Sequence, residues 1–414
     1  MKTINKLATW IVLGASFSVV AIAQLSDGQT KLRAQRHPAS PPYFPPPSGP
    51  PQFGDPLPGL TTDQLAAFAT GLEAFQEVDT PESGLGPIFN NVSCVACHSL
   101  PAIGGSSAIL ETRFGRLVNG HFDPLTQLGG SLLQQSALDP SCQEIVPPEA
   151  NVIAQRQTTP LFGLGLIEAI PDAEIVQNAL YRKADGITGR ASLVRDVASS
   201  QLRVGRFGWK AQQATLLAFA GDAYLNEVGI TSRLFPQENA PNGDTNLLAL
   251  FDAIADPEDE EDPTTGKADI DAFADFMRFL APPPRLPLTF SAEWGQSWFN
   301  QIGCATCHTP ILWTGTNSVP ALNRKPARLY SDLLLHYMGM LGDGIAQGTA
   351  ATREMKTPPL WGLRASAPYL HDGRAATVDA AIRAHDGEAR YARDRYYRLN
   401  PVQRRQLLDF LNSI

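Results

Sequence analysis

Five cysteines occur in the 414-residue chain, and four of them form C-x-x-C pairs followed at once by histidine: Cys94-Val-Ala-Cys97-His98 and Cys304-Ala-Thr-Cys307-His308. Two thiols one helical turn apart can each add to a haem vinyl group, and the adjacent histidine can then supply an axial nitrogen to iron. A four-cysteine zinc site or a pair of redox dithiols also uses C-x-x-C spacing, but neither needs a histidine after both pairs. The pattern therefore predicts two covalently bound c-type haems. Cys142 is left over; buried, inert packing accounts for it more simply than a free reactive thiol or an intermolecular link.

An iron with two protein ligands passes electrons, whereas an iron with an open face can bind peroxide or oxygen. The far-side ligand therefore decides the chemistry. His37, His121, His336, His371 and His385 remain as imidazoles. His37 lies in a proline-rich stretch and is set aside. His385 has the best local case: Thr377 can cap a helix, Asp379 suits its first turn, Gly387 can end it, and Val378, Ile382 and His385 share one face. A histidine on such a face is usually only packed, and Met338, Met340, Met355, His336 and His371 compete with it.

The elements that must hold these residues read as helices. Thr62 can cap a helix whose Leu65, Phe68, Leu72 and Phe75 face one side, leading towards the first motif. Ile270, Phe273, Met277 and Leu280 mark another, stopped by Pro282-Pro283-Pro284. Glu293–Phe299 runs into Cys304, and the chain ends on a helix with Asn400 as N-cap and Pro401 at N1. Little alternates like a strand, so the expected fold is all-α, with two cytochrome c-like domains each holding one haem. The segments Thr158-Thr-Pro-Leu-Phe-Gly-Leu164 and Thr357-Pro-Pro-Leu-Trp-Gly-Leu363 repeat one pattern after each motif, as if one wall of a haem crevice were built twice.

Lys2 and Lys6 precede an apolar run, Trp10–Ile22, and the small-residue site Ala21-Ile22-Ala23, the pattern of a cleavable secretory signal. The run is shorter than a membrane span needs. The expected organisation is a signal over 1–23, a proline-rich linker over 24–58, a first haem domain over 59–285 and a second over 286–414. The acidic run Asp256–Pro263 reads as a solvated loop. A net charge of −8 argues against nucleic acid as a partner, because phosphate binding needs a basic surface.

Ala367-Pro-Tyr-Leu-His371-Asp-Gly-Arg374, preceded by Lys356-Thr-Pro-Pro-Leu360, resembles the signature of bacterial di-haem cytochrome c peroxidases. Arg113-Phe-Gly-Arg-Leu-Val-Asn119, Gly205-Arg-Phe-Gly-Trp-Lys210 and Leu333-Leu-Leu-His336-Tyr-Met-Gly339 resemble the related di-haem oxidoreductase family, whose members often carry the label thiol oxidoreductase. The resemblance covers roughly residues 57–414. It implies that the second haem's distal ligand falls on His385, where the classical peroxidases have methionine, and that His371 lies near the haems without ligating iron. The peroxidases' displaceable histidine at the first haem would fall near Glu149–Ala150, where this chain has none. His121 is badly spaced to replace it, so the resemblance implies a first haem open from the start.

The family's catalytic Gln and Glu match Gln213 and Glu227, which could equally be a solvated helix face and a loop glutamate. Trp209 matches a tryptophan between the haems, or is core. An interdomain calcium would fall on the Ser366 and Pro368 carbonyls, with Thr158 in place of the family's asparagine. The expected protein is a periplasmic peroxidase-type enzyme reducing hydrogen peroxide, a small-molecule oxidant, with electrons entering through the second haem from a small cytochrome or cupredoxin. The rivals are a non-enzymatic electron carrier and a haem oxidase or oxygenase acting on another substrate or a partner protein. Nothing in these residues supports a thiol substrate.

Overall fold

The computed structural model describes residues 49–414 apart from 182 and 253. The expected signal sequence, most of the proline-rich stretch and His37 lie outside the described residues. No helix among the described residues is long and apolar enough to cross a membrane.

Each expected helix forms. Thr61, one residue earlier than the sequence suggested, caps Thr62–Gln76, exchanging hydrogen bonds with Gln64 in a capping box. That helix lies against Asp269–Phe279, with Phe68 and Phe75 on Phe276 at ring separations of 5.4 and 4.8 Å. Gly71 permits the approach: a Cβ there would stand 2.3 Å from the Ala272 carbonyl oxygen. Leu216–Ala223 packs on the same helix and continues into a π-turn, Tyr224–Val228. In the C-terminal half, Phe290–Gln301 packs on Pro401–Leu411, which carries the expected Asn400 cap and N1 proline. The end of the proline-rich stretch is a packed strap: Leu57 N–H donates to the Phe279 carbonyl at 2.7 Å, and Phe53 stacks edge-on against Phe162.

The all-α expectation is corrected. The fold is mixed, 37% helical and 15% strand, with several small sheets. The largest centres on Leu110–Val118, which pairs antiparallel with His121–Asp123, Leu132–Leu133 and Val152–Gln157. Its register sets Glu111 opposite Arg156 and Arg113 opposite Ala154. These strands escaped notice because the face they turn inward carries charge. Arg156 is 2% exposed and Glu111 and Arg113 are partly buried, so the apolar alternation that marks a half-buried strand is missing. Leu335–Tyr337 and Glu354–Lys356 form a second pairing, which carries His336 and Lys356.

The repeated segments do take one shape. Gly163 and Gly362 have φ of +74° and +72°, and each opens a short helical turn. They also touch: the Trp361 ring lies where a Cβ on Gly163 would come within 2.8 Å. One apolar core gathers Phe68, Phe75, Ile167, Leu216 and Phe276, and it also takes in Leu312, Leu329 and Leu333 from beyond residue 286. A second holds Phe299, Tyr330, Tyr396, Leu407 and Phe410.

Candidate haem-binding and redox site

Cys94–Cys97 makes a single helical turn, closed by the His98 N–H on the Cys94 carbonyl at 3.1 Å. The His98 ring is then fixed by its Nδ1, 3.0 Å from the Gly105 carbonyl oxygen, and flanked by Phe75 at 5.8 Å. Cys304–Thr306 repeats the turn, with His308 N–H on the Cys304 carbonyl at 2.9 Å and His308 Nδ1 at 3.0 Å from the Tyr330 carbonyl. Burial lowers both imidazoles to about 4, against which the carbonyl bonds pull only weakly. Both rings are therefore neutral at pH 7, with Nδ1–H donated to the backbone and Nε2 left as a ligand atom, the usual outer-sphere arrangement of a metal-binding histidine.

Each cysteine pair lines a cavity together with its own histidine, the placement that haem attachment would use. Burial pushes Cys94 and Cys304 up to about 12 and Cys97 to about 11, so thiolates are disfavoured. No cluster among the described residues brings the two pairs together. Cys142 is fully buried.

His385 closes the helix Val378–Ala384, whose Thr377 cap forms as expected. Its Nδ1 is 2.8 Å from the Ala381 carbonyl, and its ring centre is 6.4 Å from that of His308. That separation leaves room for one metal atom between two Nε2 atoms. The competitors are placed differently. His336 spends both nitrogens on carboxylates, Nε2 at 2.9 Å from Asp332 and Nδ1 at 2.6 Å from Glu388. Burial works against its charge, but those bonds raise it to about 12. His371 sets its ring edge-on to Trp209 at 6.3 Å. Met340 is 72% exposed, while Met338 and Met355 line the same cavity as His308. His121 sits exposed on a strand.

A cavity adjoins each motif, about 290 Å³ at Cys304, Cys307 and His308 and about 190 Å³ at Cys94, Cys97 and His98. Gln157, Thr158, Gly208, Trp209 and Phe219 line both. Trp209 is the bulkiest polar member of that shared wall, its indole N–H donating to the Gln157 carbonyl at 2.9 Å. Thr158 faces both cavities, and Ser366 and Pro368 share the larger one.

The smaller cavity is polar. Glu227 enters it from the π-turn, held by the Asn90 amide at 2.7 Å. Burial, and then the neighbouring Glu111 charge, push the Glu227 carboxyl up to about 7. Arg113 pairs with Glu111 at 3.0 Å and lines the same wall, as do Asp222 and Arg156. Gln213 does not line the cavity: its side chain bonds Asp222, which does, its carbonyl accepts from Arg206, and the lining position belongs to Gln212. Sequence reasoning missed Glu111, Arg156 and Asp222 as site residues; charges at alternating positions in Glu111-x-Arg113 were the available signal.

The cytochrome c peroxidase Ccp of Escherichia coli (strain K12) is 25% identical over 202 residues, 45% of this chain and 41% of that protein. The match thus spans about two-fifths of the relative's length. Among solved structures, a MauG-like protein associated with microbial copper homeostasis aligns at 16% identity over 91% of this chain and 95% of its own, with a TM-score of 0.41. The di-haem peroxidase BthA of Burkholderia thailandensis aligns at 13% identity over 84% and 85%, with a TM-score of 0.38. The family model described as "Di-haem oxidoreductase, putative peroxidase" matches residues 147–414, a span that holds the second motif, His385, Glu227 and Trp209. With that match over well more than half its length, the chain is a member of the di-haem oxidoreductase family.

Proposed function

We propose that the chain is a periplasmic di-haem enzyme that reduces hydrogen peroxide with electrons entering through the second haem. Cys94, Cys97 and His98 would hold the first haem within residues 59–285. Cys304, Cys307, His308 and His385 would hold the second within 286–414. The haems supply the iron that binds peroxide at one site and relays electrons at the other.

One observation carries the reading: the two cavities are unlike. His308 is faced by a second imidazole at 6.4 Å. The cavity beside His98 has no second imidazole among the described residues; it has Glu227 instead, and one thioether, Met277, packed in the core. A carboxylate there can take a proton from one peroxide oxygen and return it to the other, which favours heterolysis. A carboxyl held at about 7 suits that exchange near neutral pH. Asn90 fixes its Oε2, and Arg113 offers a positive charge on the same wall. Gln213 acts at one remove, through Asp222. Trp209, on the shared wall, would connect the two sites. The electron donor is a small cytochrome or a cupredoxin, and the signal-like N-terminus fits export. Calcium at Thr158, Ser366 and Pro368 belongs to the same proposal, and chelation followed by metal analysis checks it.

The deciding experiment is an EPR spectrum of the oxidised, exported protein, with mass spectrometry to count haem additions. Two additions, one high-spin and one low-spin ferric signal, and a prompt spectral change with hydrogen peroxide are expected. Two low-spin irons inert to peroxide would instead establish an electron carrier. Prompt reaction without turnover on reduced cytochrome would favour an oxidase or oxygenase.

A further inference from the structure

The cavity beside His308 is lined by cationic side chains and, among the described residues, by no carboxylate. Three of the four cations are already engaged. Arg206 is held by backbone carbonyls and Asp172, Arg393 donates to the His385 carbonyl, and His336 lies between Asp332 and Glu388. Lys356 is the exception. It is 8% exposed and lines the cavity, and its ammonium makes no hydrogen bond or salt bridge among the described residues; the buried Asp332 carboxylate, already held by Lys183 and His336, acts on it only at longer range. Its backbone is fixed: the N–H donates to the Trp209 carbonyl at 2.9 Å, and strand pairing sets it opposite Leu335.

A buried ammonium without a partner is costly, and such groups are normally paired. A cavity that collects cations and excludes acids is matched to an anionic occupant. We propose that Lys356 is the counter-ion of a haem propionate: its ammonium pairs with a carboxylate of the haem held by Cys304, Cys307 and His308. The inference rests on the haem-binding reading of this cavity. Burial lowers its ammonium to about 8, with the Asp332 charge opposing the shift, and a carboxylate beside it would raise it again.

The pairing has electrical consequences. A cation near the iron favours the ferrous state, so its loss should lower the midpoint potential of the second haem. The orphaned propionate, buried without a counter-charge, should then titrate nearer neutrality. Reduction would draw a proton onto it, and the potential would fall as pH rises.

The test uses haem-loaded wild type, K356M and K356R, with spectroelectrochemical titration of each haem across pH and resonance Raman of the propionate bending modes. K356M should show a lower second-haem potential, a new pH dependence and a shifted propionate mode, with the first haem unchanged. K356R should restore all three. Two attached haems with K356M identical to wild type in potential, pH profile and Raman spectrum would overturn the pairing. A wild-type potential that moved with added acetate would also overturn it, assigning the site to a small anion from solution. Absence of attached haem from the wild type would instead sink the underlying haem-binding reading.

Discussion

His308 and His385 each spend Nδ1 on a backbone carbonyl, so neither can turn its Nε2 away without breaking a buried hydrogen bond. Replacing His385 by alanine should convert one low-spin ferric signal to high-spin in EPR; an unchanged spectrum would pass the ligand role to Met338 or Met355, which line the same cavity. Glu227 sets the other residue-scale expectation. Glu227→Gln keeps the shape and the Asn90 contact but cannot carry the proton, so the second-order reaction with peroxide should slow by about a hundredfold or more. The base is the ionised form and its carboxyl sits at about 7. The wild-type rate should therefore climb as pH rises through that value, and stopped-flow traces of Glu227→Gln should lack the climb. A slow variant that kept the full pH profile would move the proton role to Glu111 or Asp222.

Elements deliver those side chains by close backbone approach. The helix Phe290–Gln301, which leads into Cys304, meets Pro401–Leu411 at Gly295, where a Cβ would lie 2.0 Å from the Gln406 carbonyl oxygen. Gly295→Ala should therefore push the helices apart and cost about 1–3 kcal/mol, read as a lower midpoint in chemical denaturation. An unchanged midpoint would mean that the pair tolerates separation. The helices were legible because their apolar faces and caps are local signals. The sheet around Leu110–Val118 was not, because its inward positions serve a polar cavity. The strand Val152–Gln157 likewise buries Arg156 where a strand pattern would show an aliphatic side chain.

Across the whole molecule, one buried ion cluster ties sequence-distant segments together. Asp343, its side chain fully buried, binds Arg156 at 2.7 Å and Lys210 at 2.8 Å, and Arg156 also reaches Gln347. Arg156 lines the first cavity, and Lys210 follows Trp209, which lines both. Burial disfavours the Asp343 charge, yet the two cations hold its carboxyl below the ordinary range. A depressed carboxyl contributes stability above its unfolded value near 3.9 and loses it as pH falls further. Asp343→Asn should strand two buried cations and cost about 3–5 kcal/mol in urea denaturation at pH 7. The gap from wild type should narrow below about pH 4. A gap that stayed constant to pH 3 would mean that the carboxylate is not the linked group.

The sequence by itself determined the two C-x-x-C-H motifs, because each is contiguous and spans only one helical turn. It also determined the helical elements, their caps to within a residue, and His385 as the best local candidate, since each depends on neighbours three or four positions away. Tertiary structure decided the rest. It set His385 opposite His308 across 76 intervening residues, brought Glu227 beside Glu111 and Arg113, left Gln213 off the cavity wall, and left Lys356 without a salt bridge in a cationic cavity. Those outcomes depend on register between strands and on which charges are desolvated together. Both are set by contacts far apart in the chain, so no local pattern of residues records them.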